Sequence, residues 1–210
     1  MGLYEILSRF KRHSSEVELT AAFAELAPHF IYGGYIKVND AYRVYIRSVE
    51  FYYHDESGRP DAVKDAIMYH RNHAADEADG PYEEPYLPLM SVYVHSSGFD
   101  ITFENGEQGY RASALIREYS VYDEGQGRFI PLTPKGALRD ERVSWLKYFL
   151  NGFPLDGRPG IVWVDEARCQ RRPLVQCRRL RTYVVKDGMR TRDTRLWRFR
   201  DDDELCLPTG

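Results

Sequence analysis

Glu50 lies in SVEFYYHDE, residues 48–56, where an acid interrupts a strand-like run and Phe51, Tyr52 and Tyr53 follow it directly. Side chains alternate along a strand, so strict alternation from Val44 puts positions 44, 46, 48, 50 and 52 on one face and Glu50 beside Tyr52. A carboxylate among aromatic rings in a partly closed pocket loses hydration, its pKa rises toward neutrality, and it can then take a proton from water. The plainer alternative is an acid at a strand edge that meets solvent or an arginine.

Further candidates follow in order. His70 in DAIMYHRN, residues 65–72, can stack as well as exchange a hydrogen bond, and it is flanked by Tyr69, Arg71 and Asn72. SVYVHSSG, residues 91–98, contributes Tyr93 and His95, and Arg117 ends the apolar run ASALIR. An arginine there could hold a phosphate or carboxylate with two parallel hydrogen bonds, or serve as a structural ion-pair partner. No phosphate loop, nucleophile elbow, HExxH or dinucleotide fingerprint is present. Cys169, Cys177 and Cys206 have neither CxxC spacing nor a matching His pair, so we expect reduced thiols and no zinc site.

Positioning these residues falls to alternating helix and strand signals. Ser15 followed three residues later by Glu18 is a capping box, and Leu19, Phe23 and Leu26 then recur at helical spacing, with an end expected near Pro28. Residues 30–40 and 42–54 form two strand-like runs joined at Asn39, Asp40 and Ala41, a hairpin that carries Glu50 near its far end. Residues 54–88 are polar, acidic and rich in Gly and Pro, a long excursion of the kind that often holds binding residues. Strands follow over 89–104 and 110–122, a second helix over 133–152 bearing Trp145 and Phe149, then short strands near 160–166, 175–185 and 194–200, and an acidic tail over 201–210. This order predicts one α+β domain over 1–210, a curved and mostly antiparallel sheet flanked by helices.

The 210-residue chain is long enough for one core. It shows no run of about 20 apolar residues that a membrane helix needs, and its first residues lack the apolar stretch of a secretory signal. The expectation is an intracellular, cytoplasmic protein and a monomer, with no membrane contact. A net charge of −3 hides an uneven distribution: positions 168–200 carry twelve Lys/Arg against Asp187 and Asp193. That segment either faces a polyanion or neutralises the acids of residues 50–84 inside the fold, and the sequence leaves both open.

The order of these pieces resembles the alkyladenine (3-methyladenine) DNA glycosylase family. Glu50 and Tyr52 in VEFYYH, Asp65, His70, Arg71 and Asn72 in DAIMYHRN, Tyr93 and Gly98 in SVYVHSSG, and Arg117 in ALIRE carry the resemblance. TPKGALR, LNGFPLDG and the basic run 164–185 extend it over most of residues 15–186. It implies the methylpurine-glycosylase fold and base excision: DNA is bound, a damaged purine is flipped out, and its N-glycosidic bond is hydrolysed. On that resemblance Glu50 would activate the water and Arg117 would position it, while Tyr52, His70 and Tyr93 would enclose the base. Arg71, Asn72, Arg178, Arg179 and Arg181 would hold the DNA backbone, and no metal or organic cofactor would be needed. Ser97 stands where the family carries an aromatic wedge, leaving His95 or Phe99 to fill the gap in the duplex. Two other readings accompany this one. The chain could be a nucleobase- or nucleotide-binding module without catalysis, or an unrelated α+β protein, marked by Glu50 buried against an arginine with no open pocket.

Overall fold

A computed structural model describes residues 1–72, 83–95, 98–130, 160–167, 172–180, 182–186 and 189–202. The chain is α+β, with two helices among the described residues and a large curled antiparallel sheet. The helix expected over 133–152, Ser97 and most of the acidic tail lie outside the described residues.

Helix α1, Leu3–Ser8, begins against Asp165, whose carboxylate accepts the Leu3 N–H at 2.8 Å. Helix α2, Glu16–Tyr32, opens as the capping residues predict: the Ser15 hydroxyl accepts the Glu18 N–H at 3.2 Å. The Glu18 carboxylate reaches back to the Ser14 N–H at 3.1 Å, one residue earlier than the standard box. Pro28 does not end this helix, which runs on to Tyr32. An interior proline costs about 3 kcal/mol, and burying Phe30 and Ile31 in the next turn offsets it at about 1.5–3 kcal/mol each.

The sheet is ordered β3-β4-β5-β2-β1-β7, built from β1 (Gly34–Val38), β2 (Tyr42–Asp55), β3 (Val92–His95), β4 (Gly98–Thr102), β5 (Tyr110–Asp123) and β7 (Ile161–Asp165). Strand β6 (Arg128–Ile130) pairs with β5, and β11 (Arg198–Arg200) pairs with β2 and with β8 (Val175–Cys177). Strands β9 (Tyr183–Lys186) and β10 (Met189–Arg192) form a separate exposed hairpin. The β1–β2 turn is the one the sequence signals. Asn39 and Asp40 both take positive φ, 51° and 54°, and the Ala41 N–H returns to the Val38 carbonyl.

Alternation along β2 is not strict, which corrects the face assignment made from sequence. Val44 and Ile46 point into the main core, but beyond them Val49, Phe51 and Tyr53 do so. The pairing with β5 is irregular at this place: Ile46 faces Tyr119, Ser48 faces Glu118 and Val49 faces Ile116, so the register steps over Arg47 and Arg117. An extra residue on each strand restores the register while turning both strands over. Glu50 and Tyr52 therefore share a face with each other but not with Val44 and Ile46.

Helix α2 seals the apolar side, with Phe23 stacked on Phe51 at 4.5 Å and edge-on to Trp197 at 5.2 Å. On the other side, beyond the irregularity, the face holds Glu50, Tyr52, Asp100, Arg111, Ser113, Leu115 and Arg117. The loop after β2 and the turn after β8 lie over it.

Candidate functional site

Glu50 is central in the sheet, opposite Leu115 of β5 on one side and Arg198 of β11 on the other, and no part of it reaches solvent. One carboxylate oxygen accepts from Arg117 Nε at 2.8 Å and from the Tyr52 hydroxyl at 3.3 Å. The other accepts the Leu180 N–H at 2.7 Å, and Arg198 Nε stands 3.8 Å away. Arg117 also donates through Nη2 to the Leu180 carbonyl at 2.9 Å, so the turn after β8 closes directly over the acid. Arg117 reaches Glu50 from the β5 irregularity, where the register skips one residue and its side chain is redirected. The mark of the third reading, Glu50 buried against an arginine, is thus met.

Tyr52 leads from Glu50 to a second group. With Met68, Tyr69, His70, Asp100, Ser113 and Leu115 it borders a small pocket of about 10 Å³. That is the room of one water and far less than a purine ring system. The Tyr52 phenol is raised above its usual pKa by burial and by the Glu50 charge, so it stays a hydroxyl. The His70 ring lies 5.4 Å from that of Tyr93, tilted at 48°. All five residues singled out for base handling thus form one continuous set, Arg117–Glu50–Tyr52–His70–Tyr93.

His70 is itself buried, and its Nδ1 is 2.5 Å from Glu104 Oε1. A carboxylate only accepts, so Nδ1 carries the hydrogen. Nε2 is buried and has no hydrogen-bond partner among the described residues. Burial pulls this imidazole's pKa down, but the Glu104 hydrogen bond and the Asp100 charge outweigh it and hold the group above its ordinary value. Glu104, a residue that sequence reasoning passed over, also accepts the Leu87 N–H at 2.8 Å and faces Arg111 Nη1 at 3.4 Å. Arg111, likewise missed, is fully buried and pairs with Glu56 at 2.8 Å. Each directly follows an aromatic, Phe103 and Tyr110, but only the strand register brings them to His70.

The residues expected to hold a DNA backbone divide. Arg179 is a correction: it is wholly buried, binds Asp65 at 2.5 Å and Asp193 at 2.7 Å, and lies 4.4 Å over the Tyr52 ring. The Asp193 carboxyl is held below its usual range, because Arg179 and Arg195 outweigh the burial that would raise it. Arg71 is also turned inward, donating to the carbonyls of Ala66 and Asn72. Asn72 holds Glu56 through its N–H at 2.8 Å and the Glu84 N–H through its side-chain oxygen at 2.9 Å. Arg178 is exposed, and Arg181 lies outside the described residues. Phe99 is part of the main core and cannot serve as a wedge in duplex DNA.

Among the described residues no group of three His, Cys, Asp or Glu side chains could hold a metal ion, and no helix is long and apolar enough to cross a membrane. Cys177 is a free thiol. A larger concavity, about 510 Å³, lies elsewhere, between α1 and α2, lined by Ile6, Phe10 and Leu26 together with Arg9, Lys11 and Glu25. It lacks the converging buried polar groups that mark the sheet face, and volume alone does not make a site. No known family model matches the chain, and no curated protein matches it.

Proposed function

We propose that the chain is a DNA glycosylase-type protein that receives a damaged purine on the polar face of the sheet, with Glu50 as the base that activates water. The observation that supports this reading is the continuity of Arg117, Glu50, Tyr52, His70 and Tyr93, which come from four separate segments. In this reading the Leu180 N–H and Arg117, which now take up the Glu50 oxygens, mark where a water would enter. The turn after β8 must yield for that, and side-chain rearrangement at Met68 and Tyr69 must widen the cavity. The partner is DNA carrying the lesion, which places the work inside the cell, on a monomer with exposed basic residues such as Arg178, Arg190 and Arg192 available for phosphates.

A second reading has its own support. Both oxygens of Glu50 already accept hydrogen bonds, which suits a nucleobase-binding module without catalysis better than a hydrolase. Both are tested by one experiment: excision from oligonucleotides carrying hypoxanthine, ethenoadenine or an alkylated purine, with Glu50→Gln beside the native protein. The glycosylase predicts release by the native chain and loss of most release in Glu50→Gln with DNA binding kept. The module predicts lesion binding without release in either protein. Binding to neither damaged nor intact DNA would leave Glu50–Arg117 a structural ion pair.

A further inference from the structure

Strands β9 and β10 take no part in the polar face. Among the described residues neither pairs with the main sheet; they pair only with each other, from Tyr183 opposite Arg192 to Lys186 opposite Met189. A two-stranded ribbon is marginal in water without something packed on it, and here all four residues of β10 are exposed, as is Tyr183 across from them. Its charge is one-sided. Positions 183–192 hold Lys186, Arg190 and Arg192 against Asp187, and the next acid, Asp193, is buried on Arg179 and Arg195.

Three of these side chains share one face. Arg192 stands directly opposite Tyr183, and Arg190, two residues earlier on the same strand, lays its guanidinium 4.3 Å over the Tyr183 ring. Two residues along a strand span about 6.8 Å, a step that an extended nucleic-acid chain matches with consecutive phosphates. The tyrosine offers a flat π surface and the guanidinium plane extends it, so a base can stack beside the phosphates that the arginines hold. A second copy of this chain is a poor occupant, because edge-to-edge addition sets one arginine row against another. An acidic peptide would engage the arginines but leave the ring unused, and a duplex keeps its bases stacked inside, away from such a platform. We propose that the β9–β10 ribbon binds a single-stranded nucleic acid, with Arg190 and Arg192 on successive phosphates and Tyr183 against a base. This goes beyond the glycosylase reading and does not rest on it.

The test uses lesion-free probes, so that base excision plays no part. Oligothymidylate, oligouridylate, the duplex of oligothymidylate with oligoadenylate, and polyglutamate are each titrated by fluorescence anisotropy from about 50 to 200 mM salt. The single strands should bind tighter than the duplex by about fivefold or more, the worth of one stacked base; tighter binding of oligothymidylate assigns DNA as the source, and of oligouridylate RNA. Tyr183→Ala should lose that same factor of about five or more, while Tyr183→Phe, which keeps the ring, should bind like the native chain. Arg190→Ala and Arg192→Ala should each flatten the dependence of log affinity on log salt by about 0.7. Arg128→Ala, at an exposed arginine of β6, should change neither affinity nor slope. No binding to either single strand, equal binding of single strand and duplex, full binding by Tyr183→Ala, or a loss in Arg128→Ala as large as in the ribbon variants overturns the proposal. So does polyglutamate binding as tightly as the oligonucleotides, which would make the ribbon a protein-docking surface. The glycosylase reading is decided separately, by excision from lesion-bearing oligonucleotides.

Discussion

Two buried acid–cation pairs share the polar face of the sheet, and they differ in what their cations have left over. At one end Glu50 meets Arg117, a guanidinium that spends a second arm on the Leu180 carbonyl. At the other end Glu104 meets His70, which can lose its proton and whose Nε2 is unspent. Each acid accepts hydrogen bonds at both of its oxygens. The first pair is therefore a clamp, joining β2, β5 and the turn after β8, while the second is a clamp with one open contact. Burial and pairing by themselves do not distinguish structural from functional charge. The inventory of unused donors does.

Cutting the first clamp should have the largest effect. Glu50→Ala strands Arg117 and removes a contact of Arg198, an uncompensated buried charge worth about 3–5 kcal/mol in urea denaturation. Glu104→Ala should cost less, about 1–3 kcal/mol, because His70 can release its proton and Arg111 keeps Glu56 at 2.8 Å. Equal losses in the two variants would erase the distinction drawn here.

Next comes pH. His70 titrates above its ordinary value of 6.5 in the folded state. Its pairing with Glu104 therefore contributes fully below about pH 6.5 and is lost as the pH rises through the raised folded value. Denaturation midpoints of the native protein should fall across that window, and those of His70→Gln should not show this fall. The smallest effect belongs to the surface: Arg178→Ala should change stability by under about 0.5 kcal/mol, while lowering the salt dependence of DNA binding by about one charge if that arginine meets a phosphate.

How far the sequence led can be followed residue by residue. Ser15 with Glu18, and Asn39 with Asp40, act within a few residues of themselves, and the structure has the helix start and the turn where they signal. Pro28 is just as local a signal, yet the helix passes through it, because the burial of Phe30 and Ile31 is a tertiary gain that no local rule contains. Alternation placed Glu50 beside Tyr52 correctly but carried Val44 and Ile46 to the wrong face, since an irregularity shared by two strands is invisible in either one. The basic run 168–200 shows the same limit. Its arginines look alike in sequence, but Arg179, Arg195 and Arg198 turn inward onto acids, whereas Arg178, Arg190 and Arg192 face solvent.

The sequence by itself determined the α+β class, the capped helix, the hairpin that carries Glu50, and the residue types available for chemistry, because these depend on propensity and periodicity over short spans. Only the tertiary structure decided that Arg117 would clamp Glu50, that Glu104 and Arg111 would flank His70, and that one imidazole nitrogen would be left over. Such pairings join residues dozens of positions apart, and they are set by strand register and by the need of every buried charge for a partner, neither of which a linear reading can supply.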